Sequence, residues 1–274
     1  MNAGLLEKYV RTERLPHIWC PGCGNGIVIN SLIRSIDSVG FKQEEIVVIA
    51  GIGCSGRAAG YLKFCAFSPV HGRVLAFATG IKLFNPKLKV VCIMGDGDCA
   101  SIGGNHLIHA ARRNIDVTAI VLNNNNYGMT GGQYSPTTPE GSKTKTSPYG
   151  HMESSFDICD LAKSAGATYV ARSTTYSARV LTKYMTNALN HKGFSLVEAL
   201  CDCPTLFGRL NKKGAGKKML LMQKDRMVQV DKAKKMTPEE LRDKVTVGEL
   251  HKAERPEYTE KYAGVIEKAQ RGGR

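Results

Sequence analysis

Four short apolar runs constrain this chain more than any other feature: residues 46–50 (IVVIA), 88–94 (LKVVCIM), 117–122 (VTAIVL) and 195–199 (SLVEA). Each has the length of a strand and is apolar almost throughout, the pattern of a strand covered on both faces. Between and before them, residues 26–35, 105–112, 156–165 and 176–191 are apolar at helical spacing. Strands alternating with helices need crossover connections. The expected fold class is therefore α/β, a doubly wound and mainly parallel sheet with helices on both faces.

The runs occupy the middle of a chain of 274 residues, which suits one large α/β domain with an appendage. Residues 1–18 read as an N-terminal arm and residues 19–208 as the domain. After Gly208 the composition turns Lys-rich, with Pro238 and Pro256, so residues 209–274 are expected to form a basic, mostly helical extension and no further sheet. Residues 123–150, dense in Asn, Gly, Thr, Ser and Pro, form a loop long enough to be expected to carry function. No segment approaches the ~18 consecutive apolar residues of a transmembrane helix. The first thirteen residues mix charges with isolated leucines and lack the apolar centre of a signal peptide. The expected location is cytoplasmic, with no membrane partner.

Nine cysteines in a chain of that kind point to metal or redox chemistry, not to a disulfide framework. Cys20-Pro-Gly-Cys23 can aim two thiolates at one centre from a tight turn. Cys54, in the glycine turn after the first strand, and Cys201 or Cys203, just after the last, are placed to join them, because residues past parallel strand ends gather at one sheet edge. Spacing alone leaves a redox dithiol, a zinc site and a [4Fe–4S] cluster open.

Gly51-Ile-Gly-Cys-Ser-Gly56 matches the dinucleotide fingerprint GxGxxG after a strand. That fingerprint needs an acid about 20 residues on to hold a ribose, and there is no Asp or Glu between Arg57 and Gly95. A nicotinamide site is not expected. Gly95-Asp-Gly-Asp98 closes the second strand, and Asn123-Asn-Asn-Asn126 closes the third, one helix later. Mg²⁺ takes oxygen ligands, commonly a carboxylate or two plus phosphates. Asp96 and Asn124, at neighbouring strand ends, can supply such ligands around one cation, and the glycines admit a diphosphate to the backbone. The plainer reading is an Asp-Gly turn and a polar loop.

Taken together and in order, WCPGCGNG, GIGCSG, HGR-x-x-AFATGIK, GDGD and NYGMTGGQ resemble the β subunits of 2-oxoacid:ferredoxin oxidoreductases over roughly residues 19–207. The resemblance implies a thiamine-diphosphate-binding fold. It also implies [4Fe–4S] ligation by Cys20, Cys23, Cys54 and Cys203, the last in a Cys-Pro-Thr that prefers it to Cys201. Mg²⁺ would be held by Asp96, Asn124 and the backbone carbonyl of Asn126. Gly97 and Asp98 would line the diphosphate, Ile52, Gly53, Cys54, Ser55 and His71 the cofactor, and Gly128 and Met129 the loop over it.

The implied reaction is oxidative decarboxylation of a 2-oxoacid with coenzyme A, the electrons passing through the cluster to ferredoxin or a ferredoxin-like subunit. The implied partner is an α subunit carrying the pyrimidine-binding domain and the activating glutamate, so no catalytic residue is expected in this chain alone. GMTGGQ resembles the 2-oxoglutarate branch, with pyruvate and branched-chain oxoacids as alternatives. Some relatives carry a lysine after the Thr of that loop, whereas this chain has Thr130-Gly131-Gly132.

The net charge is +14, and residues 209–274 hold 18 Lys/Arg against 10 Asp/Glu. Such a tail reads as a solvated face or subunit-contact arm, or as a patch that steers an acidic ferredoxin. A zinc-stabilised nucleic-acid binder, the competing class, would want aromatics or arginines on one basic face. The tail's only aromatics are Tyr258 and Tyr262, so no nucleic-acid partner is expected. A thiamine carboligase without a cluster would leave the CPGC turn unexplained.

Overall fold

The computed structural model describes residues 3–272; Met1, Asn2, Gly273 and Arg274, the outer ends of the expected arm and extension, lie outside the described residues. The strands are β1 Ile46–Ala50, β2 Cys65–Phe67, β3 Lys89–Gly95, β4 Thr118–Asn123, β5 Tyr169–Thr174, β6 Ser195–Leu200, β7 Met227–Gln229 and β8 Val245–Lys252. The helices are α1 Ala3–Tyr9, α2 Asn25–Val39, α3 Ala58–Tyr61, α4 Val74–Phe84, α5 Asp96–Ala100, α6 Gly104–Arg113, α7 Ile158–Ser164, α8 Ala178–Asn190, α9 Gly216–Arg226, α10 Val230–Ala233, α11 Pro238–Leu241 and α12 Tyr258–Gln270. All eight strands form one sheet, in the order β2-β1-β3-β4-β6-β5-β8-β7. Every pairing is parallel except β5 with β8.

The apolar runs explain the layering. Alternate residues of each strand enter opposite cores. Val48 and Ile93 face α2 and α8, meeting Val28, Leu32 and Met185. Ile49 and Cys92, one residue along, face α4, α6 and α7, meeting Leu75, Leu107 and Ile158. Burying each such aliphatic side chain contributes about 1.5–3 kcal/mol. The expected doubly wound α/β class is the observed one.

Two expectations need correction. The 209–274 segment was expected to add no sheet, yet β8 pairs with β5 and β7 with β8. The run Val245-Thr-Val247 carries the alternation, with Val247 buried, but Lys244, Glu249 and Lys252 mask it. Charged flanks are common on outer strands, where they block further pairing. Nor are residues 1–18 only an arm: Tyr9 is 1% exposed within the α2–α8 core, and Val10 bridges Leu62.

The order of strands positions the site. β1 has β2 on one side and β3 on the other, so the chain leaves the two neighbouring strands β1 and β3 in opposite directions. Doubly wound sheets open a crevice at such a switch point, outside the carboxyl ends of the strands. Residues 51–56 and 95–98 leave β1 and β3 at that crevice.

Candidate cofactor and cysteine site

The cysteine turn is built by close backbone contact. Cys23 N–H donates to the Cys20 carbonyl (3.0 Å), and Gly24 N–H donates to the Asp202 carbonyl (3.2 Å). A side chain at Gly24 would bring its Cβ to 2.6 Å from Cys201 Cβ, so only glycine lets the turn lie against the segment that follows β6. Trp19 Nε1 donates to the Cys54 carbonyl (2.7 Å), and its ring packs on Tyr61 and His17. The indole thereby ties the residues before the turn to the loop after β1.

Four sulfurs converge here. A Cβ placed on Gly128 would stand 3.6 Å from Cys203 Sγ and 3.7 Å from Cys54 Sγ. Burial pushes the Cys23 thiol up to about 12, and the neighbouring Cys203, Cys54 and Cys20 push it the same way. Burial also raises Cys54, again with help from Cys203 and Cys20. Cys201 stands apart: it is 5% exposed, belongs to the apolar core, and turns its sulfur toward Asn25 Oδ1 (3.6 Å). Among the described residues no three His, Cys, Asp or Glu side chains close on a point that would hold a single metal ion.

Beside the sulfurs, at the β1–β3 crevice, lies a cavity of about 170 Å³. Ile52, Gly53, Cys54, Ser55, His71, Asp96, Gly97, Asp98, Asn124, Asn126, Gly128 and Met129 all line it. Every residue expected around the thiamine diphosphate and its cation is thus in one wall. Asn25, Tyr127 and Thr130 line it too and were not anticipated. Tyr127 has a signal in hindsight: a Cβ at Gly97 would lie 2.3 Å from its ring, so the GDG glycine is also the seat of the tyrosine. Complete small-molecule sites enclose ~300–1,000 Å³, so this cavity has the size of a partial site. No glutamate lines it among the described residues.

The cavity wall carries buried polar atoms without partners: Asn25 Nδ2, Asp98 Oδ2 and Asn126 Oδ1. Groups of this kind cost about 1–3 kcal/mol each when left unsatisfied, and a polar ligand in the cavity would satisfy them. Asp98 Oδ1 accepts from Gly72 N–H (2.6 Å) and pairs with His71 Nδ1 (2.9 Å). Its carboxylate therefore anchors the His71 loop from behind. Asp96 is 3% exposed, and its Oδ2 accepts from Ser135 Oγ and Thr137 Oγ1, both at 2.6 Å. Burial lifts its pKa to about 6 despite those donors. A cation beside it would reverse that shift. Asn124 Oδ1 accepts from Asn126 N–H (3.3 Å), which sets the turn after β4.

Behind Asp96 runs a buried hydrogen-bonded chain that the sequence did not disclose. Thr137 Oγ1 also lies 3.0 Å from Asn123 Oδ1, a second acceptor competing for its single proton, and Asn123 Nδ2 donates to Glu198 Oε1 (2.7 Å). Glu198 Oε2 accepts from Arg172 Nε, whose Nη2 reaches Asp157 Oδ1. Arg172 and Glu198 are 7% and 2% exposed. Burial works against the Asp157 carboxylate, but the Arg172 charge outweighs it and holds Asp157 below its usual range.

Comparison with known proteins agrees with this geometry. The thiamine pyrophosphate enzyme C-terminal TPP-binding domain matches residues 51–199. The chain is 49% identical to the 2-oxoglutarate synthase subunit KorB of Methanocaldococcus jannaschii, over 95% of this chain and 97% of that one. It is 60% identical to the subunit of the same name from Archaeoglobus fulgidus, over 72% and 73% of the two chains. Among solved structures it superposes on the 2-oxoglutarate:ferredoxin oxidoreductase from Magnetococcus marinus with a TM-score of 0.85 and 31% identity, covering 98% of this chain and 91% of that one. That structure has 2-oxoglutarate, coenzyme A and succinyl-CoA bound. With a thiamine-binding domain over half its length and such relatives over nearly all of it, this chain belongs to the β subunits of the 2-oxoacid:ferredoxin oxidoreductases.

Proposed function

We propose that the chain holds thiamine diphosphate through Mg²⁺ in the β1–β3 crevice, with a [4Fe–4S] cluster on Cys20, Cys23, Cys54 and Cys203 beside it. The holoenzyme would oxidise 2-oxoglutarate and coenzyme A to succinyl-CoA and CO₂. One observation carries this reading: the twelve residues expected around the cofactor all line one crevice, and Cys54, one of them, lies with Cys203 beside Gly128.

The roles of the chain's own residues follow from the geometry. Asp96 and Asn124 hold the cation, and Asn126 adds its backbone carbonyl. Ser135 and Thr137 fix the Asp96 carboxylate by donating to one of its oxygens, which leaves the other for the metal. Gly97, without a side chain, lets the diphosphate approach the start of α5 closely. Asp98 steadies His71 at the cavity's edge. When bound, thiamine diphosphate supplies the electron sink for decarboxylation, and the cluster supplies a one-electron acceptor next to it. Because the cavity is a partial wall without a glutamate, an α subunit completes it and activates the ring. Electrons leave to a ferredoxin or ferredoxin-like subunit.

The test is coenzyme A-dependent reduction of a viologen dye by the anaerobically purified chain with its α subunit. Turnover with 2-oxoglutarate well above that with pyruvate or a branched-chain oxoacid is expected. Preference for either alternative would transfer the substrate assignment to it, and turnover without the α subunit would contradict the shared site.

A further inference from the structure

The basic excess of residues 209–274 is not spread along them. Residues 209–224 hold six Lys/Arg and no Asp or Glu, whereas residues 225–274 hold twelve against ten. The concentrated part is the segment that folds onto the cysteine turn. α9 begins at Gly216, and a Cβ placed there would stand 2.7 Å from Gly22 Cα. Two glycines thus let the start of α9 and the CPGC turn touch backbone to backbone. The loop before α9 is pinned as well. Asn211 Nδ2 donates to the Phe207 and Lys143 carbonyls, both at 2.9 Å, and its Oδ1 accepts from Lys143 N–H (2.8 Å). A Cβ on Gly214 would stand 2.7 Å from Lys218 Cδ, so the Lys218 stem lies back over that loop.

The turn is where the cysteine site reaches the surface. Cys20, Pro21 and Gly22 are exposed, whereas Cys23, Cys54 and Cys203 are half-buried. On the segments that meet there, Arg57, Lys143, Arg209, Lys212, Lys217 and Lys218 are all exposed. No ion pair among the described residues involves any of them. The other cysteine segments add no negative charge: residues 14–36 and 51–73 contain no Asp or Glu. Asp202, just before Cys203, is half-buried and accepts from Gln223 Nε2 (2.9 Å). Unpaired like charges gathered on one surface repel one another and raise the local concentration of an oppositely charged partner.

We propose that this basic collar is the docking surface for a small acidic electron-carrier protein, which takes its electrons at the Cys20–Cys23 turn. The inference rests on the cluster assigned above. Each 2-oxoacid oxidised releases two electrons, and the carrier is reduced by them in two one-electron steps. Electron-transfer complexes have small interfaces, and complementary charge governs their rate of encounter more than their affinity. The nearly balanced residues 225–274 take no part in docking.

The test uses the anaerobically purified complex with its α subunit, and an acidic ferredoxin and methyl viologen as alternative acceptors. Lys212→Glu, Lys217→Glu and Lys218→Glu together should raise the KM for ferredoxin at least about tenfold at low salt, the low end of electrostatic steering. Viologen-linked turnover and visible absorbance should stay unchanged. Calorimetric binding of oxidised ferredoxin should weaken in step, and the parent's binding should fall as salt rises. Lys232→Glu, Lys235→Glu and Lys261→Glu make the same change in net charge at exposed positions outside the collar, and should leave ferredoxin reduction near the parent's. A collar variant that binds and reduces ferredoxin like the parent overturns the proposal. So does an equal loss in the control variant, a parallel loss of viologen turnover, or release of the α subunit on gel filtration. A parent complex with neither iron nor viologen turnover would instead sink the cluster reading, and the proposal with it.

Discussion

The two halves of the sheet's carboxyl edge are built on different chemistry. Around β1, β3 and β4 the strands are apolar and the function sits past their ends, in glycine turns and short polar motifs. Around β6, β5 and β8 the polar groups are inside the strands: Arg172 is the fourth residue of β5 and Glu198 the fourth of β6, paired across the sheet. The first half presents polar side chains to a cavity. The second half backs Asp96 with a buried polar network of Glu198, Asn123 and Thr137. Presentation is local in sequence, whereas bracing couples residues as far apart as Asp96 and Glu198.

If that division holds, the largest contrast lies between two cysteines two residues apart. Cys203→Ser should abolish the cluster, because its sulfur faces Cys54 across Gly128. Cys201→Ser should retain it and lose only packing, because that sulfur lies in the core. Iron content and the visible absorbance of anaerobically purified variants read the difference directly. Equal losses in both would merge the two roles.

Next in size is the brace itself. Arg172→Met leaves Glu198 buried without its cation, and removing one partner of a buried pair costs about 3–5 kcal/mol. Denaturant unfolding should show that loss, and adding Glu198→Gln should recover much of it. An Arg172→Met protein of unchanged stability would mean that the pair is not a brace.

How much of this was legible in the sequence follows the same division. IVVIA and VTAIVL announce buried strands, and GDGD with the Asn run announces polar groups at the strand ends, where they line the crevice. β5 (YVARST) and β8 (VTVGELHK) do not look like strands, because Arg172 and Glu249 interrupt them. Only the pairing with Glu198 makes Arg172 tolerable inside a sheet, and that pairing spans 26 residues. Ser135 and Thr137 looked like loop residues because their partner, Asp96, is some forty positions earlier.

A smaller effect separates the proposed cation-binding role of Asp96 from its stability cost. The folded-state pKa of Asp96, about 6, lies above its ordinary 3.8, so the folded chain holds that proton more tightly than the unfolded chain. Stability from this group is full below about pH 4 and is lost as pH rises through about 6, on the order of 2–3 kcal/mol. Asp96→Asn removes the ionisation. Without cofactor it should therefore melt several degrees higher than the parent at pH 8 and match it near pH 4, while losing Mg²⁺-dependent thiamine diphosphate binding. A parent protein whose melting does not change between those pH values would contradict the buried carboxylate.

The smallest expected effect is at the joint between the halves. Thr137→Val keeps the shape but removes a donor to Asp96, so Mg²⁺-dependent cofactor affinity should fall by about 1–2 kcal/mol with stability nearly unchanged. Titration of thiamine diphosphate into the complex at fixed Mg²⁺ measures it. No change would detach the brace from the site.

The central claim is that one crevice holds thiamine diphosphate with a cluster at its side. Its most direct test is the iron, sulfide and thiamine content of the chain purified anaerobically with its α subunit. The account predicts iron and sulfide in equal amounts, about four of each per chain as a [4Fe–4S] cluster requires, with one thiamine diphosphate. Thiamine without iron, or zinc in its place, would contradict it.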